Sequence, residues 1–532
     1  KQILEENKRL KFDTECKLDE EIRKFSLYTP LLRHGRWTRK RRKVELLQTD
    51  LFGNDVEISN ENLKNISYGS NKDLKQLFGI LKQPFPEKVD KDSDKPDFKF
   101  GAKKISFAEE ALEQYKITYP SSKMRSFIDL LIKYKELDKA INSFGNIFLK
   151  DRIKLKSKSA KKYKIGYRNP ITNKVHTIYK QEFTKNGRLS SGDVEHGFYN
   201  SQQMIKEAKY RNCFTLTQEE IDNDWWISTY DLAAAELVIL ASNSGDKKLI
   251  EIITKDEDLH SYLATSSYTK IIRYIINNMP ENRAYDELYQ LLKANKLNND
   301  LQKVIGKTEN GDEIYADYTD EEVDEITKQR VESAIKEKGI TIHKKKHVDI
   351  RNPYKNVVYG VNYGAAKDKI AETLNVPVYY GELILDGMRN AIPQAFAYLD
   401  RIAREGVKNG YIIFNKRTNS RHWFKAWLDS AEQGRELYGK EIGQIQRAAK
   451  NYGISGTQAD MLKEAMVELH KVLTAGGVEF KFLLSVHDEL VIKHKGYEHG
   501  KLIGKTMTEV CNYYLNNISM KVSGETKHYW HK

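Results

Sequence analysis

The apolar positions change period several times along the chain. Between residues 71 and 150 they recur at helical spacing, clearest in Phe127, Leu130, Leu131, Tyr134, Leu137 and Ile141, which predicts amphipathic helices. Residues 1–68 are charged and also mostly helical in pattern. From Gly166 to Tyr179 the pattern switches to strand-like alternation around turn signals at Asn169-Pro170 and Asn173. Asp224-Trp225-Trp226-Ile227-Ser228-Thr229-Tyr230 is a β-prone run ending at Asp231, and helix formers follow over 233–240. Asp231 is therefore expected where a strand hands over to a helix. Residues 347–410 read as helical again, and 480–492 are the clearest hairpin candidate, two apolar arms around His487-Asp488-Glu489.

Residues 262–346 read as a separable insert. Pro280 opens a helix, Asn310-Gly311 is a strong hairpin turn, and Thr319-Asp320-Glu321-Glu322 is a capping box for a helix that stops near Gly339. The insert is locally acidic, so its surface should avoid polyanions and face solvent.

Composition adds a charge bias and several exclusions. The 532 residues hold 89 Lys+Arg against 75 Asp+Glu, a formal charge of +14, which makes a polyanion a plausible partner. The basic excess is densest at 33–43 and at 150–164. No apolar run approaches the ~20 residues that span a bilayer, so a membrane protein is not expected. Cys16, Cys213 and Cys511 are far apart, which argues against a disulfide scaffold and a cysteine zinc site and makes a reducing compartment the default. The chain begins at Lys1 with Ile3, Leu4 and Leu10 already in helical register, as if excised from something longer.

Two constellations carry chemistry. Carboxylates flanked by apolar strand residues are costly to bury unless paired or bound to metal. Asp488 and Glu489 stand between Phe482-Leu483-Leu484 and Leu490-Val491-Ile492, and Asp231 repeats the arrangement. A polar turn on an ordinary hairpin is the bland alternative for the first of these. Brought together, the two sites would make an oxygen-only cage suited to Mg²⁺, and paired Mg²⁺ ions about 3.5–4 Å apart serve phosphoryl transfer. The second constellation is Arg351-x3-Lys355-x3-Tyr359-x3-Tyr363-Gly364. Four-residue steps put two cations and two rings on one helix face, which suits a nucleoside triphosphate. A solvated basic helix with its aromatics turned to the core fits the same spacing.

These residues resemble family A, the DNA polymerase I-like DNA polymerases. Tyr230-Asp231 through Glu236-Leu237, with Ser244-Gly245-Asp246 and Asp258-Leu259-His260, resembles the family's motif A region. Arg351 through Gly364 resembles motif B, and Val486-His487-Asp488-Glu489-Leu490 resembles motif C. Two more blocks agree: Val175-His176-Thr177 with Thr184-x2-Gly187-Arg188-Leu189-Ser190-Ser191, and Arg447-x3-Asn451-x4-Ser455-Gly456-Thr457-x2-Asp460. Five blocks in family order cover about residues 65–532.

The resemblance implies an α+β right-hand fold, a palm with an antiparallel β-sheet and helical fingers and thumb. Residues 1–68 would be an N-terminal helical and basic extension, 69–164 the thumb, 165–236 the first part of the palm, 237–410 the fingers with the insert at about 262–346, and 411–532 the second part of the palm. It implies template-directed extension of a primer 3′-hydroxyl with deoxynucleoside triphosphates by two-metal-ion phosphoryl transfer. Asp231 and Asp488 would bind two Mg²⁺ ions, with Mn²⁺ able to substitute, and Glu489 would support them. Arg351, Lys355 and His260 would hold the triphosphate, Glu236 would crowd a ribose 2′-hydroxyl, and Tyr359 would lie where many members carry Phe. Tyr363 and Gly364 would meet the template, and Arg188, Arg447, Asn451 and His487 the primer terminus and minor groove. By its position after the thumb-like helices, the tract 150–164 would track duplex phosphates.

Partners implied are primer-template DNA, deoxynucleotides and an upstream exonuclease domain or replication protein of a longer parent. No 3′→5′ exonuclease is expected in the chain itself, because too few residues precede the thumb. The divergence and the insert point to a bacteriophage enzyme in a bacterial host's cytoplasm. Departures from the family pattern are Ala233-Ala234 for Ser-Gln, and Ser455 and Ser485 for Gln. Pro353 is expected to hold Arg351 at the very start of its helix. Two rivals remain at this point. A single-subunit RNA polymerase is opposed by Glu236 and Glu489, and a non-catalytic DNA-binding scaffold by the intact Asp231, Asp488, Lys355 and Arg188.

Overall fold

A computed structural model describes residues 2–24, 29–30, 44–45, 47–49, 55–57, 67–89, 103–119, 122–145, 147–152, 166–181, 184, 187–294, 302–307, 313–415 and 417–531. The basic tract 33–43, most of 150–164 and the turn expected at Asn310-Gly311 lie outside the described residues. The chain divides into two compact units, Lys1–Ile178 with Gly192–Arg211, and Tyr179–Ser191 with Asn212–Lys532.

The first unit is built on helices Gln2–Arg23, Asn71–Ile80, Glu109–Thr118 and Arg125–Phe144. Ser70 caps the second by accepting from the Asp73 amide at 3.3 Å. The predicted stripe on Arg125–Phe144 is real. Phe127, Leu131, Tyr134 and Ile141 are buried, and with Leu18, Leu74, Phe78 and Leu112 most of this stripe joins one apolar core. Two local expectations fail. Beyond Arg23, the described residues before 67 are not helical but pair as strands, Thr29–Pro30 with Val44–Glu45 and Leu47–Thr49 with Asp55–Glu57. Thr29, Val44, Thr49 and Val56 are β-branched, a preference that the high charge of this region masks. The alternation at 166–178 does not make a strand. The Asn169 side chain accepts from the Ile171 amide at 2.9 Å, Asn173 is left-handed, and Arg168 makes only isolated bridges, to Asp151 and to Val175. An Asx turn takes up the backbone groups a ladder would have used.

The second unit holds a four-stranded antiparallel sheet in the spatial order Phe480–Val486, Glu489–Lys495, Trp225–Leu232, Val522–Lys527. Strand Glu489–Lys495 is paired on both edges and buried along almost its whole length. Helices Thr457–Ala475 and His499–Tyr513 contribute Leu469, Leu473, Ile503 and Met507 to the same core as Leu232 and Ile492. That core continues through helices Ala235–Ser244, Leu259–Asn278, Val348–Asn362, Val378–Ala391 and Pro393–Asn409. Helices Gly439–Asn451 and Thr457–Ala475 are joined by a π-helical segment, Tyr452–Gly456, in which all five residues are buried.

The insert is not separable from this core. Helix Leu259–Asn278 supplies Leu263, Ile271 and Ile275 to it, helix Glu281–Leu292 supplies Ala284 and Leu288, and Val331, Ile340 and Ile342 join from the far side. Pro280 does open its helix, and Thr319 and Glu322 do form the reciprocal capping box of Asp320–Glu337. Among the described residues between these helices, Gln302–Lys307 pairs with Glu313–Asp317.

Candidate active site

Cross-strand register brings the acidic residues together. Asp231 is directly opposite Glu489, and the Leu232 amide donates to the Asp488 carbonyl at 3.3 Å. The turn between the two apolar arms is His487-Asp488, with His487 at φ +58°, the left-handed conformation that a tight two-residue hairpin demands. His487 is exposed and Asp488 half-buried at this end of the sheet. The strand runs one residue past Asp231, and Ala234 adopts φ +49° before helix Ala235–Ser244 begins. A side chain held there costs about 1–2 kcal/mol. Glu489 has a different surrounding from its neighbour: it is buried, and its Oε1 accepts from the Trp530 indole N–H at 2.6 Å. It braces the sheet end against the C-terminal segment.

Helix Val348–Asn362 presents the second constellation. Tyr354, Val357, Val358 and Val361 face the core, while Arg351, Lys355 and Tyr359 lie on the more open face and Tyr363 caps the helix. The aromatic that fills the core is thus Tyr354, outside the four-residue series. Pro353 lies inside the helix, and Arg351 is its fourth residue, not its first as expected. The proline removes one donor, to the Asp349 carbonyl, so the helix simply starts earlier, on His347. Arg351 forms a two-pronged pair with Asp258, Nη2 to Oδ1 at 2.7 Å and Nε to Oδ2 at 3.0 Å. Asp258 is also the N-cap of helix Leu259–Asn278, accepting from the Ser261 amide and hydroxyl. Although burial opposes ionisation, the Arg351 and Ser261 bonds hold its carboxyl far below the usual range. His260 follows it, nine-tenths buried, its ring 5.8 Å from that of Tyr359. Burial first, then the Arg351, Lys355 and Lys344 charges against the opposing Asp258, push its pKa down to about 4, so the imidazole is neutral. Burial, Glu236 and Asp488 together raise the Tyr359 phenol, against Arg351, which brings the helix face and the acidic sheet end into one electrostatic field.

Glu236 is the hub between them. It accepts from Arg188 Nη2 at 2.6 Å and from the Tyr363 hydroxyl. Burial and then Glu236 raise the Tyr363 pKa to about 12. Arg188 also donates to Gln458 at 2.5 Å. Gly364, at φ +82°, lies under Arg447, where a Cβ would come within 3.0 Å of the arginine Cγ. Asn451 directly precedes the π-helical segment and Ser455 is buried within it, so the fifth sequence block spans an irregular turn of the kind that re-aims side chains. Ser485 is buried, its amide bonded by the Tyr179 hydroxyl oxygen at 2.7 Å. Sequence reasoning assigned no role to Gln458 or Asp258. Gln458 lay unremarked within the fifth block, whereas Asp258 had a readable signal as an acid one residue ahead of a helix.

Among the described residues no group of three or more His, Cys, Asp or Glu is arranged to hold a metal ion. Two carboxylates, from Asp231 and Asp488, are what this sheet end offers. That donor set fits Mg²⁺, which keeps several waters and binds through one or two carboxylates plus substrate phosphates. Among the described residues no helix is long and apolar enough to cross a membrane.

Comparison with known proteins agrees with this geometry. The chain is 26% identical over 377 residues to DNA polymerase I of Streptococcus pneumoniae, covering 68% of this chain and 32% of that protein. It is 23% identical over 331 residues to the thermostable DNA polymerase I of Thermus aquaticus, covering 61% and 28%. It therefore spans about a third of the length of these curated relatives. Among solved structures, the POL domain of Pol1 from M. smegmatis, in complex with DNA primer-template and dNTP, superposes with a TM-score of 0.56 at 19% identity, over 88% of this chain and 62% of that one. The likeness shows the fold, an α+β right-hand polymerase. The family model for DNA polymerase family A matches residues 47–279 and 330–532, leaving out only the middle of the acidic insert and the first residues. With most of its length matched by that model, the chain belongs to DNA polymerase family A.

Proposed function

We propose that this chain is the polymerase region of a DNA-directed DNA polymerase that extends a primer on a template strand. Polymerases of this family use divalent metal ions; the finer proposal is that Asp231 and Asp488 hold two Mg²⁺, which supply charge neutralisation at the reacting phosphate. The observation that carries it is the register that pairs Asp231 with Glu489 and ties Leu232 to Asp488. The primer 3′-hydroxyl loses its proton to water as its oxygen bonds to the α-phosphorus, the bond to the β-phosphate oxygen breaks, and pyrophosphate leaves, with no covalent enzyme intermediate.

The side chains contribute position and charge. Lys355 is exposed on the open face of its helix, a cation available to the phosphates, while neutral His260 adds a hydrogen-bonding group without further charge. Glu236, mostly buried and held by Arg188 and Tyr363, is a fixed wall on the ribose side, so a 2′-hydroxyl meets a carboxylate that cannot swing away. Gly364 and Tyr363 face the template, and Arg188, Arg447, Asn451 and His487 the primer terminus and minor groove. Thumb, palm and fingers follow the boundaries read from the sequence, and the setting is a bacterial cytoplasm.

The test is extension of a labelled primer with deoxy- or ribonucleotides. Parent protein is expected to extend with deoxynucleotides, and Asp231→Ala and Asp488→Ala to lose at least about 10²-fold in rate, the scale of a lost charge-stabilising group. Full activity in either variant would contradict the metal assignment.

A further inference from the structure

The loop that leads into the Val348–Asn362 helix is His343-Lys344-Lys345-Lys346-His347, and none of the five sequence blocks contains it. Its course is fixed at both ends. Before it, the backbone runs back along helix Leu259–Asn278: Ile340 exchanges hydrogen bonds with Thr269 Oγ1 at 3.2 Å, and the Ile342 amide donates to Thr265 Oγ1 at 2.8 Å. Two chain residues thus match one helical turn, about 6 Å by helix rise and about 6.6 Å by extended chain. Ile342 is thus held one turn along the helix from Ser261, and the chain runs on from there toward Arg351 and the cap Asp258. After the loop, Arg351 returns to clasp that same Asp258. Between the two anchors the turn is closed by the His343 amide donating to His347 Nδ1 at 2.9 Å and the His347 amide donating to the His343 carbonyl at 3.0 Å. The three lysines are exposed, and among the described residues none of them forms an ion pair.

Charge at this turn is out of balance. Asp258 matches Arg351, but Lys344 and Lys355 have no acid against them among the described residues. His260 is nine-tenths buried, and its Nδ1 has no hydrogen-bond partner among the described residues. Buried polar atoms of this kind want a partner. The Lys344 charge is among those that lower the His260 pKa. An anion lying across His260, Lys355 and the loop would meet this surplus of positive charge and give His260 a partner.

We propose that Lys344, backed by Lys345 and Lys346, forms an outer phosphate subsite that receives the distal phosphates of the incoming nucleoside triphosphate and the pyrophosphate that leaves. The inference rests on the triphosphate site proposed above and extends it beyond the residues that match the family.

The experiment uses the whole chain with Lys344→Ala, Lys344→Arg and the triple alanine variant of 344–346. Steady-state primer extension should give a KM for deoxynucleotide raised about fivefold in Lys344→Ala and more in the triple, with kcat within about twofold, the size of one screened surface charge. Pyrophosphate should inhibit less well in parallel, Lys344→Arg should restore both, and DNA affinity by fluorescence anisotropy should stay at the parental value. Unchanged KM and pyrophosphate inhibition would overturn the proposal, whether or not DNA affinity falls; a fall would assign the lysines to the nucleic-acid backbone. Lys355→Ala is the control for the underlying reading. If that variant uses deoxynucleotides as well as the parent, the triphosphate site itself is elsewhere.

Discussion

Arg330 and Asp349 form the most deeply buried ion pair among the described residues, with side chains 6% and 0% exposed. The contact is two-pronged, Nη1 to Oδ2 at 2.7 Å and Nη2 to Oδ1 at 2.9 Å, and Nη1 also reaches the Leu292 carbonyl at 3.4 Å. One guanidinium therefore ties the end of the first insert helix and the second insert helix to the first turn of the helix that carries Arg351. Replacing Arg330 by Met keeps most of the apolar stem but leaves the Asp349 carboxylate in the core without its cation. Breaking such a pair costs about 3–5 kcal/mol, whereas replacing both partners with apolar residues is close to neutral. At a slope of about 3 kcal/mol/M, Arg330→Met should lower the urea midpoint by roughly 1–1.7 M, and Arg330→Met with Asp349→Leu should recover most of it. The KM for deoxynucleotide should rise in the single variant and fall back in the double, because Asp349 lies two residues before Arg351. Denaturation followed by tryptophan fluorescence, with primer extension alongside, reads both. Equal losses in the single and double variants would refute the reasoning, since the cost would then be packing and not an orphaned charge.

Other outcomes follow from the same geometry. Tyr359→Phe should make the enzyme reject dideoxynucleotides at least about tenfold more strongly, the phenolic oxygen standing in for the missing 3′-hydroxyl; competition between terminator and normal nucleotide on a sequencing gel measures it, and equal rejection by parent and variant would sink the idea. Glu236→Ala should admit ribonucleotides and free both Arg188 and Tyr363 from their shared acceptor, read as the ratio of kcat/KM for the two sugars. Burial pushes His422, stacked on the Tyr452 ring at 3.5 Å, down to about 4, and His260 and His347 are held near the same value, burial first. Each binds its proton more weakly folded than unfolded, so its contribution is full above about pH 6.5 and lost as pH falls toward 4. For the nearly enclosed His260 this is at most about 3 kcal/mol. His422→Phe should flatten that acid limb in melts at pH 7 and 4.5, and an unchanged limb would exclude His422 as a source. If the tract 150–164 grips duplex phosphates, each lysine neutralised there should reduce the log–log salt slope of DNA binding by about 0.9.

What the sequence made legible was whatever depends on local period or on a fixed spacing. Asp231 and the His487-Asp488-Glu489 turn were readable because each follows an apolar run whose only stable form is a paired strand, and a tight turn at that point leaves its acids at the strand end. The 351–363 face was readable because a four-residue step is a property of any helix. Partners across that face were not. Nothing in the spacing tells that Arg351 meets Asp258, that Glu236 is shared by Arg188 and Tyr363, or that Glu489 turns to Trp530, because each pairing is set by how distant elements pack. Chain continuity also misled: residues 262–346 looked separable because their charge and turns differ from the surroundings, yet Leu263, Leu288 and Val331 show that burial ignores that change. Two of these unforeseen pairings share a feature. Arg351 and Arg188, two cations expected to meet phosphate or DNA, are each engaged by a carboxylate of the protein, while Lys355 and the 344–346 loop have none among the described residues. In the proposed function, binding the triphosphate at Arg351 or DNA at Arg188 is then an exchange, whereas at the lysines it is a simple gain. Charge removal should consequently show in KM at the lysines, whereas at Asp258 or Glu236 it should loosen an arginine that the resting site holds in reserve.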